Sequence, residues 1–507
     1  MHPPKQDEAR QRASRACDFC HTRGLKCRRR APDGTSLGPE AGCLTCTDYG
    51  AQCTLNRPVR RRGRKPKKIA VQQQQSPDDD GGGGDDNRAN HSEGDRNTEL
   101  ESLDAIQRLI RIYCNTTYQC YFPFLPENDL LTRWQDDIPD PDSPSYMLLM
   151  ALCAVSSQAV ALNAVFDSTL LEGLPDHDSG RYYSEAVSKI PVQIGQPQDL
   201  DSLRSFGLLA VYSLLYGNHS ELHQYLGLYH ALVAQCAFHD ESRWPRDLSL
   251  GDIDDRRRLF WCVYRLEIHS ACVLGHTVRM PEAQVSVLYP RLTPAMAPET
   301  YAWTAGWDYI TDLFRLLEYA IFSLRGCRSR NAVFAALCER PSPATLLDSL
   351  ARLKQNKPRI LSSLSEQPGS GPEDDGSNQL QSNRCKYMAV QIACTETLVN
   401  IMVLLYCQAP AREVMSIAES FLEEVTKAPL IMFKVASSQI VHQLLGVGQI
   451  IYNASLYDSG LYRSEAKRLL TFLGDLVQNL ENDIPSAARA RERLLNLAEG
   501  CVITVVQ

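Results

Sequence analysis

Six cysteines near the N-terminus carry the chemistry that stands out in this sequence. They run Cys17-x2-Cys20-x6-Cys27, then fifteen residues, then Cys43-x2-Cys46-x6-Cys53, so the two halves have identical spacing. A CxxC turn aims two thiolates at one metal ion, and a third cysteine seven positions later can return to that ion at the end of a short helix. Three thiolates leave a tetrahedral zinc one ligand short. If one cysteine of each half bridges two ions, six thiolates complete two four-sulfur shells, and Arg15, Arg23, Lys26 and Arg28 offset the net negative charge. A competing arrangement is one zinc on Cys17, Cys20, Cys43 and Cys46, with Cys27 and Cys53 as spectators at coincidentally equivalent offsets. His21 is not needed as a ligand and reads as a surface residue or phosphate contact.

The remaining twelve of the 18 cysteines are scattered singly. Those in apolar helical settings, such as Cys153, Cys262 and Cys407, read as buried small hydrophobes. The polar, charged N-terminus lacks the pattern of a secretory signal, so a reducing compartment is expected, where clustered cysteines mean metal more often than disulfides.

Directly after Cys53 comes a second functional feature, a tail with eight basic residues between Arg57 and Lys68. Arg60, Arg61, Arg62, Arg64, Lys65, Lys67 and Lys68 repel one another, so the tail is expected to extend and seek phosphate. Its Arg62-Gly63-Arg64-Lys65-Pro66 stretch is similar to the Arg-Gly-Arg-Pro core of AT-hook motifs but one residue longer, leaving minor-groove entry and plain phosphate contact both open. Either suits a nuclear import signal. The whole chain has a formal charge of −7, yet residues 1–68 alone hold 17 Lys/Arg against 6 Asp/Glu. The acidic total therefore says nothing against a nucleic-acid partner.

The six-cysteine segment resembles the fungal binuclear zinc cluster transcription factors, over about forty residues. The resemblance implies two zinc ions as cofactors. In that family the first and fourth cysteines bridge, which here implies Cys17 and Cys43, with Cys20 and Cys27 completing one shell and Cys46 and Cys53 the other. It also implies DNA contacts from Arg23, Lys26 and Arg28 beside those of the tail. Two departures stand out. The loop between Cys27 and Cys43 is longer than the family usually shows, which loops tolerate cheaply. Arg23-Gly24 stands where the family commonly has two adjacent basic residues, the second often touching base edges, which points away from the family's usual CGG half-site. Arg23 and Lys26 remain the expected base and phosphate contacts.

These features must be positioned by the rest of the 507 residues, of which 44% are hydrophobic, enough for more than one folding unit. The expected organisation is a disordered N-terminus over 1–16, the cluster over 17–53, the basic tail over 54–68, and a disordered acidic, Gly- and Gln-rich linker over 69–98. The last of these has too little apolar surface to offset its ordering entropy. From 99 to 507 apolar residues recur at helical spacing, as in Leu103, Ile106, Ile110 and Tyr113, and in Val414, Ile417, Phe421 and Val425. The expected fold class is thus a small zinc-stabilised binuclear cluster plus a large all-α regulatory domain. A flexible loop is expected at 365–383 and a short strand at 501–506. Residues 145–166 hold no charged side chain but contain Ser156, Ser157, Gln158 and Asn163, which favours a buried core helix over a membrane span.

The stretch Asp255-Arg-Arg-Arg-Leu-Phe-Trp-Cys-Val-Tyr-Arg-Leu-Glu267 resembles the Arg-Arg-Arg-Leu-Trp-Trp segment of the fungal transcription factor regulatory domain, the middle homology region. Tyr121–Pro126 and Met147–Ser156 support this over roughly residues 100–340. Leu259, Val263 and Leu266 read as a core stripe, and the arginines before them as makers of helix-end and interdomain salt bridges. Where that family often has Gly-Arg-Pro, this chain has Gly275-His276-Thr277.

The sequence contains no His-Glu-x-x-His, Gly-x-Ser-x-Gly, P-loop or helix-opening Gly-x-Gly-x-x-Gly, and thiolate-filled zinc shells keep no open catalytic position, so no enzyme is expected. The expectation is a nuclear, sequence-specific transcription factor of RNA polymerase II genes, with double-stranded DNA and the transcription machinery as partners and no membrane. A pathway-specific regulator of a secondary-metabolite gene cluster is the favoured reading. A regulator of nutrient catabolism is the alternative, and a zinc-stabilised nuclear protein-interaction module is the rival from another class. The family's dimerising heptad coil has no counterpart after the tail, and two heptads from Leu103 are too few, so any homodimer is expected to form through the helical domain.

Overall fold

The computed structural model of the chain describes residues 16–18, 20, 27, 42–48, 52–55, 103–120, 123–172, 174, 178–191, 199–293, 296, 298–326, 341–358, 376–457 and 461–501. The expected N-terminal disorder at 1–15, the acidic linker, the proposed DNA contacts of the cluster and tail, and the expected strand beyond Cys501 lie outside these residues. The chain divides into two compact units, residues 1–94 and 95–507. In the first, helix α1 (Leu44–Asp48) opens immediately after Cys43.

The second unit is helical, and no strand forms among its described residues; one isolated parallel bridge joins Asp240 to Ser286. Helices α2 (Leu103–Asn115), α3 (Thr117–Cys120) and α4 (Glu127–Arg133) precede α5 (Pro144–Ala161), which packs against α2, α6 (Ser179–Ser188) and α7 (Leu200–Tyr216). Helix α8 (His219–Gln235) lies on α7, and α9 (Leu250–Leu274) packs on α10 (Pro298–Gly326). After α11 (Pro343–Gln355), the helix α12 (Gly376–Tyr406) packs on α10, α13 (Ala411–Val425) on α12, and α14 (Leu430–Tyr457) touches α7, α9, α12, α15 (Arg463–Gln478) and α16 (Ala487–Gly500).

Local sequence explains where these helices start and stop. Ser143 caps α5 by accepting the Tyr146 N–H ahead of Pro144, and Ser249 with Asp252 forms a capping box at α9. Gly217 and Gly275 close α7 and α9 in the left-handed conformation at φ 80° and 78°, which residues with a Cβ rarely adopt. Helix α5 is apolar on all sides because it is surrounded; Ser156 returns its hydroxyl to the Leu152 carbonyl within the helix. Three helices, at 144–161, 383–406 and 430–456, are long and apolar enough to cross a membrane, and each is largely buried inside the unit.

Four expectations change here. The flexible loop expected to Asn383 ends earlier, since α12 begins at Gly376; the Gly-Ser-Asn-Gln run at its start reads as loop by composition, but continues into a helix anchored by the buried Tyr387, Met388 and Val390. Arg256, Arg257 and Arg258 make contacts inside the helical unit rather than interdomain bridges. Arg256 lies over Phe238 and Trp244, Arg257 forks onto Glu241 at 2.7 and 2.8 Å, and Arg258 faces Asp255 at 3.9 Å. Cys236 departs from the burial expected of scattered cysteines: it is exposed at the C-cap of α8. The residues closest to heptad spacing, Ile106, Ile110 and Tyr113, are fully buried in the core rather than free to pair between chains.

Within α14, Ser437 breaks the helix with φ 48° and ψ −138°. Its neighbour Ser438 meets Ser486 at 2.9 Å, and both serine hydroxyls lie 3.5 Å from the Leu215 carbonyl at the end of α7.

Candidate metal centre and nucleic-acid interface

The sulfurs of Cys17, Cys20, Cys43 and Cys46 are buried and lie within 4.8 Å of one another. Cys27 and Cys53 pack against the same cluster with partial exposure. The two halves share their local geometry: the Cys20 N–H donates to Cys17 Sγ at 3.4 Å, and the Cys46 N–H donates to Cys43 Sγ at 3.4 Å. That is what a CxxC turn followed by a helix does twice, and it gives the equal spacing read from sequence a structural counterpart.

Contacts between the halves are specific. Cys17 Sγ lies 3.8 Å from Cys43 Sγ and 3.4 Å from Cys46 Sγ, while Cys20 Sγ lies 3.6 Å from Cys43 Sγ. A zinc–sulfur bond of about 2.3 Å implies tetrahedral sulfur edges of about 3.8 Å, so these separations fit thiolates converging on zinc. The Cys43 N–H also donates to Cys53 Sγ at 3.4 Å. A staple that sequence reading missed holds the ends of the cluster together: the Asp18 N–H donates to the Thr54 carbonyl and the Thr54 hydroxyl to the Asp18 carboxylate, both at 2.9 Å. Neither residue type nor spacing signalled that pair.

The electrostatics suit a cation. Burial opposes ionisation of Cys17, but donation from the Cys20 N–H and from neighbouring thiols outweighs it and brings the group down to about 6. Burial, then the thiols of Cys17 and Cys43, push Cys20 up to about 12, and burial pushes Cys46 up as well. A crowd of buried sulfurs that supports little negative charge by itself is the setting in which divalent metal drives deprotonation and folding together.

All six sequence-predicted cysteines therefore gather at one place. Arg23, Lys26, Arg28 and the tail residues Arg60, Arg61, Arg62, Arg64, Lys65, Lys67 and Lys68 lie outside the described residues.

Comparison with known proteins matches the same two regions. The profile of the fungal Zn(2)-Cys(6) binuclear cluster domain matches residues 15–62, and that of the fungal specific transcription factor domain matches residues 110–302. The cluster domain is one that binds two zinc ions. A Schizosaccharomyces pombe protein assigned by name to transcriptional regulation is 41% identical over 59 residues, 12% of this chain and 6% of that protein. The Saccharomyces cerevisiae protein named activator of stress genes 1 is 24% identical over 152 residues, 28% of this chain and 15% of that protein. The chain thus matches only a small part of the length of these relatives. No solved structure matches.

Proposed function

Because the chain carries both domains of the fungal zinc cluster transcription factors, we propose that it is a nuclear, sequence-specific DNA-binding regulator of RNA polymerase II genes. Two zinc ions organise its reading head. Cys20 and Cys27 complete one sulfur shell, Cys46 and Cys53 the other, and Cys17 and Cys43 belong to both. The observation that carries this reading is the pattern of sulfur contacts between the halves: Cys17–Cys43, Cys17–Cys46 and Cys20–Cys43 each contain one of the two bridging residues, and each pair belongs to a common shell.

Zinc here is structural, since thiolates fill both shells; its chemistry is to fix the fold that presents Arg23, Lys26 and Arg28 to DNA. Arg23 reads a base edge, Lys26 and Arg28 take phosphates, and the tail supplies the sequence-independent electrostatic term. The helical unit regulates this activity, engages the transcription machinery and holds any homodimer contact. The modest length of 507 residues supports a pathway-specific regulator of a secondary-metabolite gene cluster.

Selection of binding sites from random DNA by the zinc-loaded full chain tests the proposal. An enriched motif is expected, lost when zinc is chelated. Binding without any enriched motif would favour the protein-interaction module, with the tail serving import alone.

A further inference from the structure

The helical unit contains a cleft between α9 and α10 that no zinc or DNA chemistry uses. It encloses about 380 Å³ up to its mouth and is lined by Arg258, Trp261, Arg265, Trp303, Trp307 and Asp308 among others. A second hollow of about 300 Å³ shares Cys262, Arg265 and Trp307 with it, so the two adjoin.

Two groups in this cleft are buried without the partners their chemistry requires. The Arg265 side chain is 7% exposed. Its guanidinium stacks on Trp307 at 4.3 Å and donates to Thr311 Oγ1 at 2.9 Å and Cys262 Sγ at 3.2 Å, all neutral groups. No carboxylate pairs with it among the described residues, and Asp308 acts on it only at longer range. A guanidinium has five N–H donors, and burying it without an anion is costly. The second group is the Trp307 indole N–H, which is buried with no acceptor. The other two cleft tryptophans are satisfied: Trp261 donates to the Leu288 carbonyl at 3.0 Å and Trp303 to the Gln119 carbonyl at 3.2 Å. The open donors thus occur together, on the stacked pair Arg265–Trp307, where both hollows meet.

We propose that this cleft binds a small monocarboxylate with an apolar or aromatic body, its carboxylate on Arg265 and the Trp307 N–H and its body against Trp261, Trp303 and the neighbouring prolines. The lining suits a single negative charge. Arg258 and Arg265 face one carboxyl, Asp308, which burial and then Asp312 push up to about 7. Binding is a property of the helical unit and holds whatever the cluster recognises.

Three of the five tryptophans line the cleft, so intrinsic fluorescence of the zinc-loaded full chain reports occupancy. Benzoate is the probe, with benzamide as its neutral counterpart and inorganic phosphate as a non-carboxylate anion. Benzoate is expected to give a saturable change, with benzamide and phosphate each about tenfold weaker or more, as loss of one charge-assisted hydrogen bond implies. Arg265→Gln should weaken benzoate at least as much, and Trp307→Phe, which keeps the ring and removes the donor, by a few-fold. If Arg265→Gln fails to fold, Arg265→Lys and Trp307→Phe carry the test. Absence of saturable binding at tens of millimolar benzoate, equal binding of benzoate and benzamide, or tighter binding of phosphate would overturn the assignment.

Discussion

The backbone N–H of Cys46 points at the sulfur of Cys43 from 3.4 Å. The first half repeats this between Cys20 and Cys17, and the two sulfurs so addressed are those that reach across to the other half. A thiolate that accepts an amide N–H has part of its charge neutralised, which suits a sulfur shared between two cations.

Zinc content follows from this sharing. Purified chain should carry two zinc ions. Cys17→Ser or Cys43→Ser should lose both ions, because each damages two shells, whereas Cys46→Ser should retain one more often than not. Metal analysis after gel filtration measures it, and equal retention in the three variants would remove the bridging roles.

Outside the cluster, the fork between Arg257 and Glu241 ties α9 to the turn at Glu241–Arg243, and Glu241 also accepts the Leu288 N–H at 2.7 Å. Glu241→Ala leaves a buried guanidinium unpaired and should cost about 2–3 kcal/mol. Asp348→Ala breaks an exposed pair with Arg352 and should cost under about 0.5 kcal/mol. Urea midpoints of both variants compare them; similar small losses would mean the fork contributes little.

What the sequence reveals depends on how local the physics is. Six thiols at matched spacing define a metal site within forty residues, and the 3.6-residue period of Ile106, Ile110 and Tyr113 marks a helix before any partner is known. The partners of Arg256 and Arg257 are another matter, since Phe238, Trp244 and Glu241 are chosen by the chain's return path. The start of α12 at Gly376 is set by burial further along the helix, against its own composition. Nothing in Val435-Ala-Ser-Ser-Gln signals a break either, because neither glycine nor proline marks it.

That break offers a test of strain. Ser437 holds a positive φ that costs a non-glycine residue about 1–3 kcal/mol, and its hydroxyl has only a long contact with the Leu215 carbonyl. Ser437→Gly should therefore raise stability by about 1 kcal/mol, and Ser437→Val should lower it. Thermal unfolding of the two variants gives the signs, and destabilisation by glycine would contradict the account.

Acid should act through the histidines between α8, α9 and α14. His219 Nε2 lies 3.0 Å from His442 Nε2, and the His269 ring is nearby. Burial, then the neighbouring His219, brings His442 down to about 3, and burial holds His269 well below its ordinary range. The unfolded chain takes up protons below about 6.5 while these native rings stay neutral, so their effect is a loss of stability as pH falls from about 6.5 toward 3. Asp255 and Asp308, raised to about 6 and about 7 chiefly by burial, work in the opposite sense, which makes a difference measurement necessary. Relative to its own value at neutral pH, His442→Gln should gain roughly 1.5 kcal/mol on wild type between pH 6.5 and 5. Parallel pH profiles for the two proteins would show that His442 is not neutral in the fold.

The central claim is that the zinc cluster reads sequence while the basic tail supplies charge, and binding isotherms separate these roles directly. They are recorded on the selected site and on a scrambled duplex at several salt concentrations, for wild type, Arg23→Ala and a variant neutralised at Arg60, Arg61, Arg62, Arg64, Lys65, Lys67 and Lys68. The tail variant should weaken on both duplexes with a shallower salt dependence and keep its discrimination. Arg23→Ala should lose about 1–3 kcal/mol of discrimination while keeping the salt slope. Unchanged discrimination in Arg23→Ala, together with its loss in the tail variant, would place sequence reading in the tail and contradict the account.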